Sequence, residues 1–142
     1  MTYNKTLIFA LLLANCALLS AQELSQETIN KREKRKNLVV REWNTDAKGK
    51  NRWMDHFTTY DDKGRKIEEA EFTSYGKRQR ICIKYAENGF IDREVVYDDR
   101  DRPVRIRKYE YNQDGTKKKQ YNYLPSGKLY SVKEFEYTYT EK

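Results

Sequence analysis

Six times along the chain an aromatic residue is followed, four positions later, by a residue that favours a turn. The units are Tyr60…Gly64, Phe72…Gly76, Tyr85…Gly89, Tyr97…Asp101, Tyr111…Gly115 and Tyr123…Gly127. They begin 12, 13, 12, 14 and 12 residues apart. A period this short holds one strand and one turn and leaves no room for a crossover helix, so neighbouring strands must run antiparallel. The repeat predicts an all-β fold, an antiparallel meander of β-hairpin repeats with about eight strands, as a single sheet or an open array. One unit cannot bury its own apolar side, so stability has to come from stacking several.

The turn residues have a backbone reason. Gly64, Gly76, Gly89, Gly115 and Gly127 supply positive φ, and Asp101 takes the same place because aspartate tolerates that region better than most residues. Asn88-Gly89 and Asp114-Gly115 are type I′ hairpin signals, in which both central residues have positive φ. Pro103, which cannot donate to a ladder, is expected at a strand start or an edge.

Alternation along the strands assigns faces. Ile81, Ile83 and Tyr85 are expected on one face of their strand, and Ile91, Val95 and Tyr97 on one face of the next. Charged runs such as Arg78-x-Arg80 and Lys117-x-Lys119 alternate with apolar positions, which predicts one solvated face and one apolar one. The tyrosines that open each unit are expected to line up across strands as the core.

Ahead of the array the composition changes twice. Residues 1–21 carry Lys5, an apolar run from Thr6 to Ala14 and small residues Ser20-Ala21 before Gln22, the pattern of an export signal. Residues 22–37 are a charged tether or short helix, and residues 38–142 are the β-hairpin repeat domain. Cys16 falls in a loose lipobox, Leu13-Ala14-Asn15-Cys16, and membrane association is expected only if that cysteine is lipidated. Loss of the signal leaves Cys82 as the one remaining cysteine, so no internal disulfide staples the fold. An exported location, periplasmic or extracellular, follows.

The formal net charge of +7 becomes +6 without Lys5. The 22 acidic residues are interleaved with the 29 basic ones, which predicts a mixed, solubilising surface more than one continuous positive field. Twelve tyrosines, five phenylalanines and two tryptophans argue against disorder despite the 36% charged content.

Tyr60-Asp61-Asp62-Lys63-Gly64-Arg65-Lys66-Ile67 resembles a YD repeat of the Rhs family, and Tyr97-Asp98-Asp99-Arg100-Asp101-Arg102 follows the same pattern without its glycine. Tyr85-Ala86-Glu87-Asn88-Gly89 and Tyr123-Leu124-Pro125-Ser126-Gly127-Lys128-Leu129 are similar to the MORN-variant repeats of bacterial antitoxin-like proteins. Both likenesses imply arrays of antiparallel hairpins. The first implies a shell or filament element and the second an antitoxin or immunity-like partner protein.

No catalytic set is legible. His56 is the single histidine and is expected to be a strand residue, so no usual zinc constellation assembles within the chain. The glycines are spread one per turn, without a phosphate loop. Neither a metal nor a cofactor is expected. Two acidic groups, Glu68, Glu69 and Glu71 and then Asp98, Asp99 and Asp101, are what a hydrolase acting on an envelope polymer would need, if they met across a cleft.

The expected function is therefore non-enzymatic: a binding or structural module of the bacterial envelope or exterior. Its candidate binding residues are an aromatic and basic set, Tyr85, Tyr97, Tyr109, Tyr111, Tyr121, Tyr123, Arg105 and Arg107. The expected partner is a protein or an envelope glycan, with nucleic acid excluded by export.

Overall fold

The structure, a computed structural model, describes residues 23–140. The export signal and Cys16 lie outside the described residues. Eight strands form one antiparallel sheet in chain order: β1 (Val39–Thr45), β2 (Arg52–Tyr60), β3 (Lys66–Thr73), β4 (Gly76–Tyr85), β5 (Ile91–Tyr97), β6 (Pro103–Tyr111), β7 (Lys117–Tyr123) and β8 (Leu129–Glu134). The sheet does not close, and β1 and β8 are its two edges. Pro103 starts β6, where its missing N–H does not break the ladder.

The turns follow one design, and it is not type I′. In the β2–β3, β4–β5, β5–β6, β6–β7 and β7–β8 connections, the fourth turn residue donates its N–H to the carbonyl of the first. These bonds run from Gly64 to Asp61 (3.0 Å), Gly89 to Ala86 (2.9 Å), Asp101 to Asp98 (3.1 Å), Gly115 to Asn112 (3.0 Å) and Gly127 to Leu124 (2.9 Å). Among these turn residues only the fourth has positive φ, from 58° at Asp101 to 88° at Gly127. Each is a type I turn closed by a left-handed residue that forms a bulge. Proline settles the point chemically at Pro125, since its ring holds φ negative at the position where type I′ needs it positive.

A second irregularity, three residues past each left-handed residue, shifts the register beside the aromatic residue that opens the unit. Tyr85 pairs with Ile91 while Lys84 pairs with Arg93, so Asp92 is the extra residue. This corrects one expected face: Val95 and Tyr97 do share a side, but Ile91 does not, because the bulge at Asp92 breaks the alternation. The β3–β4 hairpin differs, with Ser74 and Tyr75 alone between Thr73 and Gly76, which pair with each other.

The sheet is one layer deep. Ala70, Ile83 and Val96 are its buried apolar residues, and Glu94 is buried among the charged ones. Charge is present on both faces. Glu94 pairs in register with Ile83 and Arg107, and so shares their side. The sheet therefore has two partly solvated faces, not one. An apolar face would need a second layer to cover it, and none of the described elements provides one.

The tyrosines are held chiefly by means other than stacking. Ring-to-ring contacts are Phe90 with Tyr111 at 4.8 Å and Tyr109 with Tyr111 at 6.3 Å. Elsewhere a cation covers the ring: Arg80 over Tyr97 at 4.3 Å, Lys117 over Tyr109 at 4.0 Å and Arg105 over Tyr130 at 4.0 Å. Each such contact contributes about 0.5–1 kcal/mol at an exposed site. Tyr85, Tyr111 and Tyr137 each donate their hydroxyl proton to a backbone carbonyl, of Lys66 (2.9 Å), Ile91 (2.9 Å) and Lys117 (2.7 Å), the residues that open β3, β5 and β7.

Of the tether and the short helix expected ahead of the array, the described residues form the helix. Ser25 caps a helix, α1 (Gln26–Glu33), by accepting from the Thr28 N–H at 3.3 Å. No residue of α1 is buried, as its charged composition dictates. It is held at the sheet by polar and close-packed contacts instead. Arg32 donates Nη2 to the Gly89 carbonyl at 2.8 Å, and the Asn37 N–H donates to the Asp61 carbonyl at 2.9 Å.

A candidate anion-binding cleft

Two glycine turns give α1 its seat. A Cβ on Gly64 would collide with the backbone carbonyl of Arg32, and one on Gly89 would stand 2.7 Å from the Leu24 side chain. The helix thus crosses the end of the sheet where the β2–β3 and β4–β5 turns project. Its last turn, carrying Lys31 and Arg32, and the following Arg35 come to lie above Tyr60 and Tyr85.

Between helix and sheet is a cleft of about 230 Å³ whose walls include Lys31, Arg32, Arg35, Arg65 and Lys66, and no carboxylate. Three of these cations are neutralised nearby. Lys31 pairs with Glu27 at 2.5 Å, Arg65 with Asp61 at 2.7 Å and Lys66 with Glu69 at 2.6 Å. Arg32 and Arg35 have no ion pair among the described residues. Both lie 5.5 Å from a tyrosine ring, Arg32 from Tyr85 and Arg35 from Tyr60. Arg65 approaches Tyr85 as well, at 4.9 Å. Burial pushes the Arg32 guanidinium below its ordinary pKa; Tyr85 opposes that shift, the like charge of Arg65 adds to it, and the Asp61 carboxylate opposes it.

Asp61 fixes the sheet side of the cleft. Its Oδ1 accepts from the N–H groups of Lys63 (3.0 Å) and Arg65 (2.9 Å), and its Oδ2 from Arg65 Nε (2.8 Å). Burial would raise its pKa, but the Arg65 side chain and the two backbone donors outweigh it and hold the carboxyl below its ordinary value. Asp98 repeats the arrangement with Arg100 N (3.0 Å), Arg102 N (2.9 Å) and Arg102 Nε (2.9 Å). The Tyr-Asp…Arg units are thus turns whose first residue caps the bulge with its own side chain.

The residues expected to bind are divided between the two sides of the sheet. Tyr85, Arg105, Arg107, Tyr109 and Tyr111 fall on one side by register, and Tyr97, Tyr121 and Tyr123 on the other. Several are engaged internally. Tyr109 and Arg107 both donate to Glu94, at 2.7 and 3.3 Å. Tyr121 donates to Glu110 at 2.9 Å, and Tyr123 borders a depression of about 280 Å³ with Arg93, Ile106 and Lys108. Of the eight, only Tyr85 lines the basic cleft.

The two acidic groups meet in part. Glu68 and Asp101 share Arg80, at 3.5 Å to Nη1 and 3.1 Å to Nε, and Asp101 also pairs with Lys77 at 2.5 Å. Hydrogen bonds from Lys77 and Arg80 hold Asp101 below the ordinary carboxylate range. A second cluster escaped the sequence reading because its members come from three strands. His56 Nδ1 lies 2.9 Å from Asp55 and its Nε2 4.0 Å from Glu71. His56, Glu69 and Glu71 each bring one ligand atom within 4.8 Å of the others, as do Glu42, Asp55 and His56. Glu69 and Glu71 are also ion-paired, with Lys66 and Arg78. A larger depression, about 570 Å³, lies between the β1–β2 and β3–β4 loops and has mixed charge, with Asp46, Lys50 and Arg52 in its lining. Two cations, Arg93 and Lys108, border the depression beside Tyr123, and five line the cleft under α1.

Neither the models of known protein families nor the curated proteins contain a match to this sequence.

Proposed function

We propose that this chain is an exported, non-enzymatic β-repeat protein that serves as a binding or structural module of the bacterial envelope or exterior. The observation that carries this reading is the single-layer sheet itself, with both faces open to solvent and one end topped by a cleft of converging cations. Such a surface presents recognition groups over a long, thin scaffold. The partner is a protein or an envelope glycan. Residues 1–21 supply the reason for export, and a periplasmic or extracellular site follows from them.

The carboxylates support binding over hydrolysis. A general acid needs a pKa raised towards the working pH, whereas Asp98 is held low by the Arg102 backbone N–H and then its side chain, and Asp101 by Lys77 and Arg80. Glu68 and Asp101 come together around a guanidinium, which suits an ion-pair network. The shared turn chemistry of Asp61 and Asp98 is in keeping with kinship to YD repeats.

Pull-down of the full chain on peptidoglycan, other envelope glycans and secreted proteins, at low and high salt, tests the proposal. Retention that weakens with salt is expected. Release of soluble fragments from an envelope polymer, abolished by substitution of Glu68 or Asp101, would replace it with the hydrolase reading.

A further inference from the structure

Among the described residues, the cleft under α1 holds more cations than carboxylates pair with. Three of its five have carboxylate partners; Arg32 and Arg35 do not, Arg32 feeling the Asp61 charge without an ion pair to it. Two guanidinium groups are therefore left to meet a ligand. A phosphomonoester carries about −1.5 to −2 at neutral pH and three acceptor oxygens, a match in charge and in hydrogen-bonding capacity. Guanidinium groups suit it better than ammonium groups because their planar forks meet two oxygens at once. Arg32 spends one N–H on the Gly89 carbonyl and has others left.

Size and lining narrow the class. At about 230 Å³ the cleft is smaller than the roughly 300–1,000 Å³ that encloses a drug-sized molecule. It takes a headgroup, not an oligosaccharide. Its remaining walls are the Thr28 side chain, Gly64 and the two tyrosines, with no aliphatic side chain against which an acyl chain would lie. That favours a sugar as the carrier of the phosphate over a lipid.

We infer that the cleft between α1 and the sheet binds a sugar phosphomonoester, with Arg32 and Arg35 as the groups that hold the phosphate. This rests on the binding-module reading and gives it a ligand class. Arg35 is the more informative of the pair. Its side chain covers the Tyr60 ring and has no hydrogen bond or ion pair among the described residues, so its removal costs the fold only that ring contact.

The test is titration calorimetry of the full chain with glucose 6-phosphate, inorganic phosphate, unphosphorylated glucose and vesicles containing phosphatidic acid. Circular dichroism and thermal melting accompany each variant. Glucose 6-phosphate is expected to bind and glucose is not. Arg35→Gln is expected to weaken binding about tenfold or more while the protein stays folded, its melt lowered only slightly by loss of the Tyr60 contact, and Lys128→Gln, at the opposite end of the sheet, to leave binding unchanged. The inference is overturned if the folded protein gives no heat with either phosphate at about 10 mM, beyond ordinary weak affinities. It is overturned equally if the Arg32→Gln/Arg35→Gln double variant binds as well as the parent, or if only the vesicles bind. Should that double variant bind phosphate as well as the parent while the protein is retained on an envelope glycan, the cleft assignment falls and the binding-module reading stands. Should the parent protein be retained on nothing, both fall.

Discussion

The backbone carbonyl of Arg32 occupies the space that a side chain on Gly64 would need. The contact joins the helix to the sheet with no apolar burial at all, and it makes the position of α1 depend on a missing methyl group. Gly64→Ala is therefore expected to do two separable things. Positive φ costs a non-glycine residue about 1–2 kcal/mol, and the collision drives α1 off its seat. Gly127→Ala, at φ 88° with nothing within 4 Å, carries only the first penalty. Both variants should melt early, but only Gly64→Ala should speed hydrogen exchange across 24–37. Equal exchange in the two would sever the proposed link between turn and helix.

Asp61 is the cap of its turn, so Asp61→Ala should lower stability by about 1–3 kcal/mol, the range for hydrogen bonds to a charged group. Chemical denaturation measures it. A variant as stable as the parent would mean that the bulge needs no side-chain cap.

His56 sets a pH dependence. The hydrogen bond that its Nδ1–H donates to the Asp55 carboxylate raises its pKa; burial opposes this, and the charges of Asp55, Glu42 and Glu71 add to it. A folded-state pKa above the unfolded value of about 6.5 means that the protonated ring stabilises the fold. That contribution is complete below the unfolded pKa and disappears as pH rises through the folded one. Melting temperature should therefore decline across this range, and His56→Gln should flatten the decline. A parent profile already flat there would remove the charge network around this ring.

The tyrosine tethers act at the alkaline end. Burial raises the Tyr111 pKa to about 12, and the bond to the Ile91 carbonyl, which needs the hydroxyl proton, favours the same neutral form. Stability contributed by the neutral phenol is complete below the unfolded value of about 10 and lost as pH rises through the folded value. Spectrophotometric titration should show a late-ionising class of tyrosines. Tyr111→Phe should shrink that class and lower stability by about 0.5–1.5 kcal/mol, leaving the Ile91 carbonyl without its donor. If all twelve tyrosines ionised together near their ordinary value, the tether would not persist in solution.

Much of the architecture was legible because glycine, aspartate and aromatic residues recur at a fixed spacing, and that spacing dictates strand and turn. The turn type was legible too, in Pro125, although Asn88-Gly89 and Asp114-Gly115 pointed elsewhere. The bulges were harder to see. They come from hydrogen bonds between backbone groups and leave no mark on side-chain alternation until the register is known, which is why Ile91 was assigned to the wrong side. The cleft was half visible. The basic run Lys31 to Lys36 stood out, but its seat is made by the bareness of Gly64 and Gly89, and an absent side chain looks the same in any turn.

The hydroxyl tethers from Tyr85, Tyr111 and Tyr137 stand 26 residues apart, each reaching the opening residue of a strand 19 or 20 positions upstream. That interval spans two strands and two turns, so it is an even step that returns the chain to its starting direction. Duplicating residues 86–111 would lengthen the sheet by one such step and keep every downstream side chain on its present face. Inserting a single strand and turn would reverse the polarity of all that follows. Copy number in a lineage of such chains is therefore expected to change in pairs, with the helix-bearing end fixed and the β8 end free to grow.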